Sequence, residues 1–113
     1  MLPAPYRLRK TKDIEQVFSG GKSVFDAVCG LRCRPNGQPV SRFAVVVGTK
    51  VSKSAVVRNR LRRRVRAILQ KCRTDIAAGF DVVCLVRPDA KKATFRQLED
   101  RLQASLRKAR LLV

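Results

Sequence analysis

Hydrophobic positions recur along the chain at two periods, and together they predict six elements. TKDIEQVF, from Thr11 to Phe18, suits a short helix: Thr11 can cap it, Asp13 and Glu15 favour its N-terminus, and Gly20 and Gly21 end it. Ile14, Val17 and Phe18 then share one face. From Ser23 to Arg34 the period changes to two. Phe25, Ala27, Cys29, Leu31 and Cys33 alternate with more polar positions, which predicts one strand, stopped by PNGQP. RFAVVVGT, from Arg42 to Thr49, is apolar on both faces and is expected to be a central strand. Ser54 to Arg73 carries the longest helical signal, with Val57, Leu61, Val65, Ile68 and Cys72 on one stripe and Leu69 at its edge. FDVVCLVR is a further strand, ended by Pro88. Thr94 to Arg110 is a last helix burying Phe95, Leu98, Leu102, Leu106 and Ala109. The order is α-β-β-α-β-α. The strands on either side of the long helix are expected to lie parallel in one sheet.

A chain of 113 residues supports one core, so residues 1–113 are expected to form a single domain with 1–10 as a flexible basic arm. With 45% hydrophobic residues a compact core is available. No apolar run exceeds strand length, which predicts neither signal peptide nor membrane span and places the protein in the cytosol. Cys29, Cys33, Cys72 and Cys84 are then expected to be reduced core residues. A four-cysteine zinc site is disfavoured, because Cys29 and Cys33 fall inside a strand pattern and the chain has no His.

Charge changes the picture most. Twenty-six Lys and Arg against 8 acids give a net charge of +18, which repels itself and calls for a polyanionic partner. The 48 residues between Asp26 and Asp75 hold 13 of the basic residues and no acid. Within them, Lys50 to Arg73 carries ten cations, seven of them Arg. Arg58, Asn59, Arg60, Arg62, Arg63 and Arg66 fan across the polar side of the long helix, with Lys50 and Lys53 before it. Cations near a helix N-terminus and crowded like charges together cost about 1–2 kcal/mol in isolation. A phosphate-rich partner reverses that sign. The planar guanidinium suits paired phosphate oxygens and stacking on bases, where a Lys point charge offers less. A solvated charged face is the alternative, although such faces usually mix signs. The same chain is poorly equipped to cut RNA: it lacks an imidazole acid/base pair, and its basic region holds no carboxylate.

AVVRNRLRRRVR resembles the RNR signature of the bacterial ribonuclease P protein family, in which A-V-x-R-N-R is followed by basic residues. RLRKTKDIEQVFSGGKSV is similar to that family's first helix, RFAVVVGTKVSK to the strand feeding the signature helix, and FDVVCLVRP follows at the family's spacing. Ile14 stands where many members have Phe, and Lys53 where many have Gly.

The resemblance implies an α+β sandwich with a mixed sheet and a left-handed βαβ crossover, of the kind seen in ribosomal protein S5 domain 2. It implies binding of the catalytic RNA through Arg58, Asn59, Arg60, Arg62, Arg63 and Arg66. It also implies contact with the 5′ leader of precursor tRNA in a cleft between first helix and sheet, lined by Phe18 with Arg32; a plain core role for Phe18 is the alternative. Cleavage is expected from the RNA subunit with Mg2+, the protein holding no cofactor and forming no dimer. Two other readings of the charge stay open: a structural RNA-binding protein, such as a ribosomal one, and a DNA-binding regulator. The second lacks a helix-turn-helix partner and a dimer seam.

Overall fold

The computed structural model describes residues 2–112. Its three main helices are α1 (Thr11–Gly20), α2 (Ala55–Cys72) and α3 (Phe95–Lys108). Its strands are β1 (Lys22–Val24), β2 (Cys29–Pro35), β3 (Arg42–Val47) and β4 (Phe80–Val86). The four strands form one mixed sheet in the order β1-β2-β4-β3. β1 and β4 both run antiparallel to β2, whereas β3 and β4, joined through α2, run parallel as expected.

One face of the sheet carries the main core. Cys29, Leu31 and Cys33 of β2, Phe43, Val45 and Val47 of β3, and Val82, Cys84 and Val86 of β4 pack under Leu61, Val65, Ile68 and Leu69 of α2 and Leu98, Leu102 and Leu106 of α3. All four cysteines are buried and reduced. Burial raises the thiol pKa of Cys33 and Cys72, and that of Cys84 is raised first by its hydrogen bond with the Cys29 thiol and then by burial. The opposite face is covered only in part, by a small cluster of Leu8, Val17 and Val83 with Ile14, Ala44 and Leu85 around it. On this side a cleft between α1 and the sheet is lined by Lys10, Asp13 and Gln16 from the helix side and by Arg34, Arg42 and Asp81 from the strands.

Four local expectations change. The predicted single strand from Ser23 to Arg34 is two strands. The Asp26 carboxylate accepts the backbone N–H of Val28 (2.8 Å) and of Cys29 (3.1 Å), which turns the chain so that β1 folds back on β2. Phe25 therefore lies on a turn, 69% exposed, instead of in the core. β3 is an edge strand, not a central one. Its second apolar face meets the α1 side of the sheet, and part of its open edge is occupied by the N-terminal segment, where Leu8 N–H donates to the Phe43 carbonyl at 2.8 Å. Thr11 is the first helical residue of α1, whose N-cap is Lys10 with no side-chain bond. Phe95 likewise begins α3 beyond the core and is exposed, while Thr94 and Gln97 form a reciprocal capping box.

Residues 2–10, read from the sequence as a flexible arm, lie against the domain. Leu2 and Leu8 are buried, Arg7 Nε donates to the Leu2 carbonyl (2.7 Å), and the Tyr6 ring sits under the Arg73 guanidinium. Apolar side chains at positions 2 and 8, hidden among cations, supply that docking.

Candidate nucleic-acid interface

α2 begins where the Ser54 hydroxyl accepts the Val57 N–H, a cap that satisfies one free donor of the first turn. With Leu61, Val65, Ile68, Leu69 and Cys72 turned into the core, the remaining circumference must face outward. Asn59, Arg60 and Arg63 are exposed there, and Arg58, Arg62, Arg64 and Arg66 are half-buried. Lys50 and Lys53 are exposed on the preceding loop. The predicted residues of α2 thus lie on its outward side, with Lys50 and Lys53 on the loop before it.

They do not all stand alike. Arg62 donates to the Asn59 side-chain carbonyl, one turn back on the same face. Arg58 donates through Nη1 to the Ser52 carbonyl (2.9 Å), so its guanidinium also fixes the loop that leads into the helix. Among the described residues, the ion pairs are Arg42 with Asp13 and Asp81, Lys71 with Glu99, and Arg101 with Asp26. None involves an arginine of α2. Arg66 has its pKa lowered, first by burial and then by the charges of Arg7 and Arg62.

Phe18 and Arg32 meet where the end of α1 crosses β2, on the thinly covered side of the sheet. Phe18, on the last turn of α1, is 38% exposed and so is not a plain core residue. Arg32 of β2 donates through Nη1 to the Phe18 carbonyl (2.8 Å), and its guanidinium lies 5.4 Å from the ring centroid. Two positions singled out from the sequence are therefore in contact, and each presents a flat surface on which a base can stack. Arg34, two residues on, bonds Gln16 Oε1 and ties the middle of α1 to the same strand. Farther along the sheet, the exposed Phe25 ring stacks under Arg87 at 4.7 Å. Alternation had placed Phe25 inward and gave Arg87 no role; only the Asp26 turn brings them together. Arg7 and Arg9 were also missed individually, although their charge was visible.

Comparison with known proteins agrees with this arrangement. Residues 2–110 match the family model described as Ribonuclease P. The chain is 34% identical to the ribonuclease P protein component of a Cyanothece species over 128 residues, covering 99% of this chain and 98% of that one. It is 36% identical to the protein of the same name from a Synechococcus species, covering 100% and 88%. The RNase P protein of Staphylococcus aureus superposes with a TM-score of 0.88 at 25% identity, covering 96% of this chain and 98% of that one. That of Thermotoga maritima gives 0.82 at 31% identity, covering 90% and 96%. A likeness that runs from the N-terminal segment through the arginine helix to α3, in sequence and in backbone alike, leaves one assignment: the chain belongs to the ribonuclease P protein family.

Proposed function

We propose that this chain, as the protein component of ribonuclease P, binds the catalytic RNA through the outer face of α2 and receives the 5′ leader of precursor tRNA in the cleft between α1 and the sheet. The observation that carries this reading is the acid-free surface of Arg58, Asn59, Arg60, Arg62, Arg63 and Arg66, whose arginines have no ion pair among the described residues. Crowded unpaired guanidinium groups are favourable only when an anion sits among them, and an RNA backbone supplies anions at short regular spacing.

The protein's part is positioning and charge screening. Asp13 and Asp81 are engaged by Arg42, Asp26 by Arg101 and Glu99 by Lys71, so these carboxylates already serve the fold. We assign phosphodiester hydrolysis to the RNA subunit and the Mg2+ ions it holds. By neutralising phosphates where the RNA subunit and the precursor meet, the protein lowers the Mg2+ concentration that the complex needs. In the cleft, Phe18 and Arg32 offer stacking surfaces without a fixed hydrogen-bond code, which fits a leader of variable sequence.

The test is reconstitution with ribonuclease P RNA and a leader-bearing precursor tRNA. At low Mg2+ the protein should restore cleavage, and the double substitution Arg60→Ala, Arg63→Ala should blunt the rescue. Full rescue by that variant, or no rescue by the wild type, rejects the reading.

A further inference from the structure

On the thinly covered face of the sheet, α1 and the N-terminal segment pack over Val83 and Ala44. The next row on that face runs Gly30, Leu85, Val46 across β2, β4 and β3, and it is left open, with Val46 37% exposed. A cavity of about 460 Å³ lies there, with Val46, Leu85, Val86 and Pro88 as apolar lining and Lys50 and Arg87 as its cations. No carboxylate lines it. Its volume falls within the roughly 300–1,000 Å³ of small-ligand sites.

Arg87 is shared between this cavity and the β1–β2 turn. Its guanidinium lies over the Phe25 ring, 4.7 Å from the centroid, and forms no ion pair among the described residues. The turn is braced to keep the ring there. Asp26 captures two backbone N–H groups and pairs with Arg101 at 3.0 Å, while the Arg87 N–H donates to the Val28 carbonyl at 2.9 Å. Gly30 lets the turn close over β2, since a Cβ there would stand 3.2 Å from the Val24 carbonyl oxygen. A cation laid over a ring merely to shelter it is the plain alternative. Yet Phe25 stays 69% exposed, so the contact shelters little. Its effect is to hold the guanidinium flat at the rim of the cavity.

We propose that Arg87, backed by Phe25, is a second base-stacking platform, which together with Lys50 takes one nucleotide of the precursor leader, separate from the one at Phe18 and Arg32. An unstacked base needs a planar surface to lie on, and guanidinium planes serve as well as aromatic rings. Lys50, across the cavity, supplies a point charge for the nucleotide's phosphate. The two platforms lie apart. Arg32 is in register with Val83, and Arg87 follows four residues later, about 13 Å of extended chain. Phe25 acts through Arg87 and is a positioning residue. This inference rests on the leader-binding reading above and adds to it a second site on the leader's path.

The experiment places a fluorescent purine analogue at successive leader positions and binds each precursor tRNA to the complex assembled from ribonuclease P RNA and this protein. Stacking quenches the fluorophore. Two separate positions should be quenched through the protein. Phe18→Ala should abolish quenching at one of them. Arg87→Lys and Phe25→Ala should abolish it at the other, where Phe25→Tyr, which keeps a ring, should retain it. If quenching at every position survives Arg87→Lys, or if that variant acts only at the position sensitive to Phe18→Ala, the second platform is overturned.

Affinity separates the plane from the charge. Arg87→Lys keeps the cation, so the salt slope should stay as in wild type, while leader-bearing precursor should bind about five- to a hundredfold more weakly. Affinity for mature tRNA should not change. An equal loss with mature tRNA overturns the proposal, because Arg87 then acts away from the leader. The side chains of Phe25 and Arg87 make none of the bonds that brace the turn, so the variants leave it in place. If Phe18→Ala weakens leader binding while Arg87→Lys behaves as wild type, this platform fails and the leader reading stands. If neither variant affects leader-bearing precursor, the leader reading fails with it.

Discussion

Arg42 and Asp81 stand opposite each other on the parallel strands β3 and β4 and form a two-pronged ion pair, with Arg42 Nε 2.9 Å from Oδ1 and Nη2 2.7 Å from Oδ2 of Asp81. Asn36 donates to the same Oδ1 (2.9 Å), and Asp13 of α1 lies 3.5 Å from the other guanidinium nitrogen. The pair thus joins sheet, β2–β3 turn and α1 at one end of the cleft. Asp81 is 6% exposed, so a substitution that removes its partner strands a buried carboxylate. Breaking a fully buried pair costs 3–5 kcal/mol, and Arg42 is a quarter exposed; we therefore expect Arg42→Ala to cost about 2–3 kcal/mol. Chemical denaturation would measure it. A loss below about 0.5 kcal/mol would show that Asn36 and solvent suffice.

Gly20 and Gly21 look alike in sequence but not in space. A Cβ on Gly21 would overlap the Val17 carbonyl oxygen and lie 2.9 Å from that of Cys33, both backbone atoms, whereas one on Gly20 meets nothing within 4 Å. Gly21 is where α1 hands over to β1 with the helix pressed against β2. Gly21→Ala should destabilise by at least about 2 kcal/mol, because the helix end must lift from the strand. Gly20→Ala should be neutral or stabilising by up to about 1 kcal/mol. Equal thermal midpoints for the two variants would contradict the close approach.

These details show what the sequence could carry. The long elements were legible because their signals are local: the stripe Leu61, Val65, Ile68, Leu69, Cys72 specifies α2 and its buried face together, and the arginines necessarily occupy what is left. Phe18 and Arg32 could be proposed as a pair only through the family likeness, since fourteen residues separate them and no periodicity links helix to strand. The break at Asp26 was hidden because alternation continues across it, while the decisive interaction is a carboxylate capturing two N–H groups. β3 read as central because burial on both faces looks the same whether the neighbour is a strand or a strap. Strand order is set by long-range pairing, which hydrophobic pattern does not encode.

The buried thiols make stability fall at alkaline pH. Cys33, Cys72 and Cys84 all titrate above the ordinary thiol value of 9.0 in the folded chain, Cys84 well above it. Above that value the unfolded state loses thiol protons that the folded state retains, so the unfolded state binds fewer protons and unfolding free energy declines as pH rises. The contribution is intact below pH 9 and shrinks from there toward the folded values. Each thiol adds a slope of up to about 1.4 kcal/mol per pH unit in that window. Cys84→Ala should therefore show a shallower decline than wild type between pH 9 and 10.5, whatever its stability at pH 7. Parallel curves would rule out the linkage.

Removing arginines from α2 should move stability and binding in opposite directions. Arg60 and Arg63 are exposed, make no ion pair among the described residues, and sit amid like charges on a helix that has no acid in its first turn. Arg60→Ala with Arg63→Ala should leave the free protein as stable or more stable, by a few tenths of a kcal/mol. Sulfate should raise the thermal midpoint of wild type, since it binds the native cationic surface, and raise that of the variant less. The salt slope of RNA binding should fall by about two. A double variant that loses stability in the absence of RNA would indicate that these side chains also hold the fold.

Phe18 separates leader binding from RNA-subunit binding. Its ring is partly exposed at the end of α1, and Arg32 reaches the backbone carbonyl of residue 18, which survives truncation of the side chain. Phe18→Ala should thus keep the α1–β2 tie and lower stability by only about 1 kcal/mol or less. It removes the ring under the guanidinium, a surface worth about 1–3 kcal/mol to a stacked base. The assembled complex carrying Phe18→Ala should bind leader-bearing precursor about five- to a hundredfold more weakly. Its affinity for mature tRNA, which has no leader, and for the RNA subunit should stay as in wild type. The surface arginines of α2 should show the reverse pattern, weakening RNA-subunit binding regardless of leader. If Phe18→Ala weakens mature and leader-bearing tRNA equally, the ring acts through the fold and the leader lies elsewhere.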